Sequence, residues 1–505
     1  MNDDYIIINS DEIPLPEVTN NLWENRLSSY KRYDMSGIPK CSVIILANNR
    51  IMKTKYCVEC VLKYTHGIDY ELILIDSGSN DGTLDFFQSV EHNNKIIIKI
   101  TKNISFFYAM SVAKDIYKGQ YFVLVPNDVY VTQNWLTNLL ACYESDSRIG
   151  FAVPVCSNVS NLQQVDLSFQ NFDQMQRMAA EYNNRSNPQK WEERMRLMSV
   201  VTILSRPVID IVGIFDAAYV HDFSEDDLAA RLRRSGYKLI LCKDTWVCHD
   251  HDYRNLEDKD PSVFHASIET GRNFFREKHN GIDAWDDINN YEAKLLAPID
   301  NIELKNNDGL NVLTVEPRCG TPILEIRNRL SRRGFQKPTI YAFTTKAKYY
   351  SDLHYAADYV NCDRIDFIQS SYFSIKFDII ACCEPINHFP TPYKLLQRLY
   401  DHLKPEGLLL LKLRNIDGYN TFLRTSGLGG VYEPDMPTEL TVNDLFERLK
   451  LLGGQDITAS TEPYNINEAD VKTLVKLLEK IKPEADTYDI TRFITKDYIF
   501  KVMKK

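Results

Sequence analysis

Two stretches of this sequence alternate short, uninterrupted apolar runs with segments of helical periodicity, and no other feature constrains the fold as strongly. The runs are 41–47, 71–76, 95–100 and 121–125 in the first stretch, and 311–315, 339–343, 377–382 and 408–413 in the second. Strands that are apolar on both faces are typical of parallel sheets covered by helices on both sides. The pattern therefore predicts an α/β protein with two mostly parallel sheets.

The length of the chain also requires more than one domain. A single hydrophobic core stops growing at about 250–300 residues, and this chain has 505. We predict an N-terminal arm over 1–38, a first domain over 39–281, a linker over 282–308 and a second domain with a helical C-terminal part over 309–505. Within the first domain, the polar residues 165–198 are predicted to form a helical insertion outside the core.

Composition and charge narrow the classes of protein. Hydrophobic residues make up 44% and charged residues 25% of the chain, as in soluble globular proteins. The formal net charge of −10 argues against a nucleic-acid-binding protein, which usually carries a clustered basic face. The sequence predicts neither a signal peptide nor a membrane span. The eleven cysteines are scattered, which predicts a reducing, cytoplasmic location and structural thiols at Cys57 and Cys60.

Two polar segments follow predicted strands of the first stretch. Asp76 opens the segment 76–83 after the second strand, and Asn127 and Asp128 follow Pro126 after the fourth. Ligands of open α/β sheets bind at the carboxyl ends of the strands, so both segments are candidate ligand contacts. Gly, Ser, Asn and Asp are also the usual residues of turns, so a purely structural explanation stays open for both segments.

Three consecutive acids, Glu225, Asp226 and Asp227, begin a predicted amphipathic helix, and the strand-like segment after that helix ends at His249. Acids in a first helical turn interact favourably with the helix dipole. Ser224 and Asp227 also have the spacing of a capping box, in which Asp227 would bond back to the helix start. The acids are therefore either a helix start or a source of carboxylate chemistry.

In this order, the motifs between residues 40 and 255 resemble those of family 2 glycosyltransferases with the GT-A fold, of the bacterial surface-glycan and flagellin type. The resemblance implies an inverting enzyme that transfers a sugar, with N-acetylglucosamine as the first expectation, from a UDP-sugar to a hydroxyl group. It implies Ser or Thr of flagellin, or another surface component, as the acceptor. It also implies Mn2+ or Mg2+ as the cofactor.

The resemblance assigns donor-side and metal-binding residues. Asp76 would accept hydrogen bonds from uracil. Asp128 and His249 would hold the metal ion, with His251 as a competing ligand. Pro126 replaces the first acid of the family's Asp-x-Asp motif, so only Asp128 of that motif can bind the ion directly. The residues expected on the donor side are Ala47, Asn49, Arg50, Asp76, Ser105, Asn127 and Asp128.

The resemblance also places the catalytic base among the three acids. If Asp227 caps the helix, Asp226 becomes the first candidate for the carboxylate that takes the acceptor proton, and Glu225 becomes the second. Ser157 and Asn158 belong to a segment that resembles the acceptor side of these enzymes.

A second resemblance covers residues 310–460, which resemble class I methyltransferases that use S-adenosylmethionine (SAM). It is clearest in 377–380, 384–389 and 403–407, which resemble the family's fourth strand, the helix after it and a Lys-Pro-Gly-Gly turn. The fold class implied for the whole chain is a GT-A domain followed by a Rossmann-like, methyltransferase-type α/β domain.

The cofactor loop of this second domain departs from the family. Only Gly320 remains of its glycines, and Arg318 and Pro322 stand in the other glycine positions. No acid follows the predicted strand 339–343, where the family holds the ribose hydroxyls. Glycine lets the backbone approach the cofactor closely. These departures predict a fold without tight SAM binding, used for acceptor docking or oligomerisation.

Two alternatives to a single glycosyltransferase activity stay open. A bifunctional enzyme would also methylate the transferred sugar, and measurable SAM binding would favour it. A non-catalytic scaffold is motivated by Pro126, and failure to turn over any UDP-sugar would favour it. The expected partners are a nucleotide sugar and a protein or glycan acceptor, with no nucleic acid and with a homo-oligomer as an option.

Overall fold

The computed structural model describes residues 5–10, 36–104, 106–219, 222–251, 261–304, 309–372, 374–425, 438–464 and 468–505. The chain divides into two compact units, residues 1–289 and 290–505, and each unit is built around its own sheet. Both sheets are mostly parallel with helices between the strands, which confirms the predicted fold class. Among the described residues, no helix is long and apolar enough to cross a membrane.

Strands β1–β10 form the first sheet. In chain order they are Ile6–Ile8, Cys41–Ala47, Tyr70–Ser77, Lys95–Ile100, Tyr121–Pro126, Val129–Tyr130, Ile149–Cys156, Trp191–Glu193, Thr202–Ser205 and Lys238–His249. The order across the sheet is β1-β4-β3-β2-β5-β9-β7-β10-β6, and β8 pairs with β10 outside this row. β1, β4, β3, β2 and β5 pair in parallel, whereas β9 runs antiparallel between β5 and β7.

The helices of the first unit cover both faces of this sheet. They are Ile51–Tyr64, Thr83–Ser89, Phe106–Ile116, Trp135–Tyr143, Phe172–Tyr182, Arg206–Val212, Ser224–Arg234 and Pro261–Lys278. In the first of them, Cys57 and Cys60 are buried one turn apart, and neither forms a disulfide. Strand β2 is buried along its whole length, because it lies in the middle of the sheet with helices on both sides.

Two segments of the first unit differ from the predictions. Ile6–Ile8 forms an edge strand parallel to β4, so part of the predicted arm belongs to the sheet; residues 11–35 of the arm lie outside the described residues. The segment 165–198 contains one helix and then β8, which pairs antiparallel with β10. Because Met195 and Leu197 are also buried, this segment belongs to the core and the prediction of an outer helical insertion is wrong.

Strands β11–β17 form the second sheet. They are Asn311–Val315, Thr339–Thr344, Tyr359–Cys362, Phe377–Cys382, Leu403–Arg414, Gly454–Pro463 and Thr495–Lys504. The order is β13-β12-β11-β14-β15-β17-β16, with β17 antiparallel to both of its neighbours. The chain order reverses between β11 and β14, and such a reversal opens a crevice at the carboxyl ends of the strands.

The helices of the second unit are Ala293–Leu296, Thr321–Arg332, Tyr350–Ala356, Ile368–Ser371, Pro392–His402, Tyr419–Thr425, Val442–Leu451, Glu468–Ile481 and Thr487–Ile494. The segment predicted as a linker is helical over much of its length. Ala284–Ile288 is a π-helical turn of the first unit, whereas Ala293–Leu296 and the 3-10 turn Ala297–Asp300 belong to the second.

Candidate active site

A cavity of about 560 Å³ lies at the carboxyl edge of the first sheet, where the sequence placed its ligand contacts. The ends of four strands contribute to its wall through Leu46 of β2, Ser77 of β3, Pro126 of β5 and His249 of β10. The predicted site residues that line it are Arg50, Asn127, Asp128, Glu225 and His249.

Asp128, His249 and His251 form a cluster whose ligand atoms all lie within 4.8 Å of one another. His251 Nδ1 is 3.2 Å from Asp128 Oδ2, and His249 Nε2 is 3.8 Å from Asp128 Oδ1. The antiparallel pairing of β6 with β10 produces the cluster, because it sets Val129 opposite His249 and Asp250 N within 2.8 Å of Asp128 O. Both histidines therefore reach Asp128, and His251 adds to His249 instead of competing with it.

The backbone carbonyl of Asn158 fixes the tautomer of His249. This carbonyl oxygen lies 2.9 Å from His249 Nδ1. Because a carbonyl oxygen can only accept a hydrogen bond, Nδ1 carries the proton. Nε2, the nitrogen nearer to Asp128, therefore keeps its lone pair. Ser157 Oγ accepts from His249 N at 3.0 Å, and Asn158 Nδ2 donates to His249 O at 2.9 Å. Ser157 and Asn158, predicted on the acceptor side, thus hold His249 in place, and neither lines the cavity.

The electrostatics of the cluster suit a divalent cation. Burial acts to raise the pKa of Asp128, but the neighbouring His251 and His249 outweigh it and lower that pKa, so the carboxylate is charged. Burial lowers the pKa of His249, which keeps the imidazole neutral and able to coordinate. One carboxylate and two imidazoles fit a first-row transition ion better than Mg2+, because Mg2+ prefers oxygen ligands.

The helix Ser224–Arg234 begins without the predicted capping box. Its N-cap is Phe223, at φ 72°, and no side chain caps the helix. Ser224 Oγ instead donates to Asp216 O at 3.1 Å. The prediction that Asp227 bonds back to the helix start is therefore wrong, and the ranking of the three acids that depended on it loses its basis.

Asp227 is buried in a network of ion pairs. Arg231 Nε donates to its Oδ2 at 2.8 Å, and its Oδ1 lies 2.8 Å from Lys278 Nζ and 2.9 Å from His279 Nε2. Burial acts to raise the pKa of Asp227, but Arg231 and these neighbours hold it well below its ordinary range. A carboxylate paired this strongly is a poor proton acceptor, and it ties its helix to the segment that carries Lys278 and His279.

The other two acids differ in their partners. Asp226 accepts two hydrogen bonds from Arg196, from Nε at 2.5 Å and from Nη2 at 3.0 Å, and both side chains are buried. Glu225 has a pKa raised to about 7, first because burial disfavours its charge and second because the Asp226 carboxylate is close. Glu225 is half-buried and lines the same cavity as Asp128, so it is the acid best placed to take a proton near neutral pH.

Asp76 lies under the loop after β3 and is not among the residues that line the cavity. It is 1% exposed and accepts a hydrogen bond from Ser79 N at 3.0 Å, and burial raises its pKa. Gly78, at φ 69°, lets this loop pass close to the next one, since a Cβ there would lie 2.4 Å from Asn103 N. The structure therefore gives Asp76 a part in holding the loop, beside the nucleotide contact implied by the resemblance.

The remaining donor-side residues fall into two groups. Ala47 is buried at the end of β2, and Asn49 bonds to the loop after β3 through its N–H and its side-chain oxygen. Arg50 and Asn127 line the cavity. Ser105 lies outside the described residues.

A smaller cavity of about 290 Å³ adjoins the first, and Ser160, Asp222 and Glu225 line both. Arg196 and Trp285 line only the smaller one, and sequence reasoning missed both. Arg196 falls in the segment predicted as an outer insertion, and Trp285 falls in the predicted linker. Neither belongs to a recognisable motif, so only long-range packing brings them to the acidic helix.

The second unit has its own cavity, of about 440 Å³, lined by residues that follow β11, β12 and β14. Glu316, directly after β11, accepts from Thr344 Oγ1 at 2.9 Å and from Thr345 N at 2.6 Å, so protein groups already satisfy its carboxylate. Arg318 has φ 49°, a conformation that favours glycine. A Cβ on Gly320 would lie 2.6 Å from a side-chain atom of the helix Tyr350–Ala356, and the φ of 108° there also favours glycine, so packing and backbone conformation both require this residue.

Comparison with known families gives a match within the first unit. Residues 42–197 match the family described as Glycosyl transferase family 2. The match contains Asp128 and Arg196, whereas Glu225, Asp226 and His249 lie beyond it. It supports sugar transfer for the first unit and does not extend to the second.

Solved structures similar to this chain include both classes of enzyme. The mannosyltransferase PcManGT from Pyrobaculum calidifontis, in complex with GDP-Man and Mn2+, is 14% identical over 55% of this chain and 76% of that chain, with a TM-score of 0.37. A SAM-dependent methyltransferase from Archaeoglobus fulgidus is 14% identical over 46% of this chain and 98% of that chain, with a TM-score of 0.30. The comparison with curated proteins gives no match.

Proposed function

We propose that the first unit transfers a sugar from a nucleoside diphosphate sugar to a hydroxyl acceptor, with inversion at the anomeric carbon. The observation that carries this proposal is that Glu225 lines the same cavity as the cluster of Asp128, His249 and His251. Base-assisted displacement of a diphosphate requires a proton acceptor and a cation site, and both are found on this cavity. The family match over residues 42–197 supports sugar transfer as the chemistry.

In the proposed reaction Glu225 takes the proton of the acceptor hydroxyl while the hydroxyl oxygen bonds to the anomeric carbon. The bond between that carbon and the diphosphate oxygen breaks, and the nucleoside diphosphate leaves with the electron pair. A divalent ion held by Asp128 and the two histidines would neutralise the charge that develops on the diphosphate. Arg50 lies 3.8 Å from Asp128, where its guanidinium can donate to the same phosphates.

The finer assignments rest on different grounds. A UDP-sugar donor, N-acetylglucosamine and a cytoplasmic location rest on the sequence alone. Mn2+ is supported by the two imidazoles, and these also compensate for Pro126, which the sequence placed where an acidic ligand is usual. Glu225 replaces Asp226 as the proposed base because Arg196 occupies both oxygens of Asp226.

The experiment that tests this function is a turnover assay on the full-length protein with Mn2+ and a panel of UDP-sugars and GDP-sugars. At least one donor should release its nucleoside diphosphate. Glu225→Gln keeps the size and hydrogen bonding of the side chain but cannot take a proton. Its turnover should fall by about 10²–10⁴-fold while donor affinity stays unchanged. A panel in which no donor binds or turns over would contradict the proposal.

For the second unit we propose a docking or structural role without tight SAM binding. The carboxylate of Glu316 is already satisfied by Thr344 and Thr345, and Arg318 occupies a glycine position in the loop. The bifunctional enzyme remains the alternative, because a cavity of about 440 Å³ at the carboxyl edge is large enough for a small molecule.

A further inference from the structure

Glu225 lines two adjoining cavities, which share Ser160, Met198 and Asp222 but differ in their other residues. Asp128 and His249 line only the larger one, and Trp285 and Asn289 line only the smaller one. If Glu225 takes the acceptor proton, the acceptor must reach Glu225 from a space that the donor diphosphate does not occupy. The smaller cavity provides such a space, and we therefore assign it to the acceptor. This assignment rests on the proposed function.

Trp285 gives the smaller cavity an exposed aromatic surface that is held in place. The residue is 39% exposed, so a large part of the ring is accessible. The Arg272 guanidinium lies over the ring, 4.9 Å from its centroid, and the Phe223 ring centroid is 5.3 Å away. Asp283 Oδ1 accepts from Trp285 N at 2.9 Å and fixes the turn that carries the residue. The ring is therefore a preformed apolar platform at the cavity.

The polar groups of the smaller cavity select the charge of its ligand. Asn289 has a buried Oδ1 without a hydrogen-bond donor in the described part of the chain, and a hydroxyl brought into the cavity could satisfy it. Among the described residues that line the cavity, Asp222, Glu225 and Asp226 bring carboxylates and Arg196 brings a guanidinium. An anionic ligand would meet repulsion here, whereas a neutral, hydroxyl-rich ligand would not.

We infer that this cavity binds a neutral sugar ring, so that the acceptor hydroxyl belongs to a glycan and not to a Ser or Thr side chain of a protein. A pyranose offers an apolar face of C–H groups to Trp285 and a rim of hydroxyls to groups such as Asn289. A Ser or Thr side chain offers one hydroxyl and at most one methyl group, which would leave the Trp285 platform uncovered. The volume of about 290 Å³ suits one small molecule.

Saturation-transfer NMR on the full-length protein tests the inference without requiring turnover. The probes are methyl glycosides of neutral hexoses and N-acetylhexosamines, which carry no aromatic group of their own, together with methyl glucuronide and a Ser/Thr-containing peptide. At least one neutral glycoside should bind, and methyl glucuronide should not. Trp285→Ala should weaken binding by tenfold or more, and Trp285→Phe should restore most of it. Tyr488→Ala removes an exposed aromatic from the second unit and should change nothing.

Each outcome bears on a definite claim. Binding of the peptide but of no glycoside would overturn the sugar acceptor, as would glycoside binding that is insensitive to Trp285→Ala. If the wild-type protein binds glycosides but turns over no donor, the proposed function is contradicted and the sugar site still stands. If the peptide stimulates donor turnover and the glycosides do not, the inference is overturned and the proposed function still stands.

Discussion

Arg196 donates two hydrogen bonds to Asp226, from Nε at 2.5 Å and from Nη2 at 3.0 Å, and so occupies both oxygens of one of two adjacent acids. Glu225 has no such partner among the described residues, and its pKa is raised to about 7 by burial and by the Asp226 carboxylate. Burial of a carboxyl group beside another carboxylate is one way in which proteins prepare an acid to exchange a proton near neutral pH. The pair therefore makes Glu225 the acid that changes its protonation state near neutral pH.

The first prediction separates Glu225 from Asp226 by turnover. Glu225→Gln should reduce turnover by about 10²–10⁴-fold. Asp226→Asn should keep measurable turnover, because an amide can still occupy the position beside Arg196. Steady-state rates with saturating donor, together with melting temperatures, would show the difference. If Asp226→Asn abolishes turnover in a folded protein while Glu225→Gln retains it, the base is Asp226, as the sequence had favoured.

The second prediction concerns the pH profile. A general base is active when deprotonated, so turnover should rise with pH and level off above the Glu225 pKa of about 7. In Asp226→Asn the negative neighbour is removed and the charge of Arg196 is no longer balanced, and both changes lower the pKa of Glu225. The acid limb of the profile should therefore move to lower pH in that variant. An unchanged limb would show that Glu225 does not set it.

The third prediction concerns the metal ion. Activity should be lost in excess EDTA and recovered with Mn2+ more fully than with Mg2+, because two of the three ligands are imidazoles. His251→Ala should weaken Mn2+ binding, measured by electron paramagnetic resonance of the free ion, by tenfold or more. His66→Ala, at an exposed histidine, is the matched control. Full activity in EDTA would instead indicate that side chains such as Arg50 neutralise the charge on the leaving diphosphate.

The sequence predicted the strands well because each depends on local composition. Cys41–Ala47, Lys95–Ile100, Asn311–Val315 and Phe377–Cys382 have the predicted bounds. Three of them are short apolar runs inside a sheet, where burial on both faces favours a continuous apolar pattern. Lys95–Ile100 lies next to the edge strand and is buried at three of its six positions. The alternation of strands and helices, together with the order of the polar segments, also predicted that the candidate site lies at the carboxyl edge of the first sheet.

The environment of the acids could not be predicted in the same way. Arg196 and Asp226 are 30 residues apart, and Asp227 and His279 are 52 apart. The spacing of Ser224 and Asp227 fits a capping box, but an acid in the first turn of a helix can equally form a buried ion pair. Only tertiary packing, which turns Ser224 toward Asp216, decides between them.

The fourth prediction concerns stability at Asp227. Asp227→Asn should lower the free energy of unfolding by about 3–5 kcal/mol, because it leaves the positive charges of Arg231 and Lys278 without their buried partner. Asp146→Asn breaks a half-exposed pair with Arg148 and Lys238 and should cost about 1 kcal/mol or less. Urea denaturation of both variants compares them. Equal stability losses would show that the buried network is not coupled as described.

The same experiment has a pH dependence with a definite sign. The pKa of Asp227 is lower in the folded protein than in the unfolded chain. Above the ordinary aspartate pKa of about 4, the contribution of Asp227 to stability is therefore fully present. This contribution is lost as the pH falls below that value. The stability difference between wild type and Asp227→Asn should shrink on acidification and should not change between neutral and mildly alkaline pH.

The last prediction concerns the second unit. Calorimetric titration of SAM into the full-length protein should give no tight binding, since Arg318 and Pro322 stand where glycines let a backbone approach the cofactor. The double variant Arg318→Gly, Pro322→Gly opens the loop and relieves the positive φ at Arg318, so it separates the effect of the loop from the lack of an acid after β12. Tight binding by this variant alone would assign the loss to the loop, whereas weak binding by both proteins would assign it also to the missing acid. A dissociation constant of about 1 μM for the wild type, equivalent to about −8 kcal/mol, would contradict the prediction and favour a bifunctional enzyme.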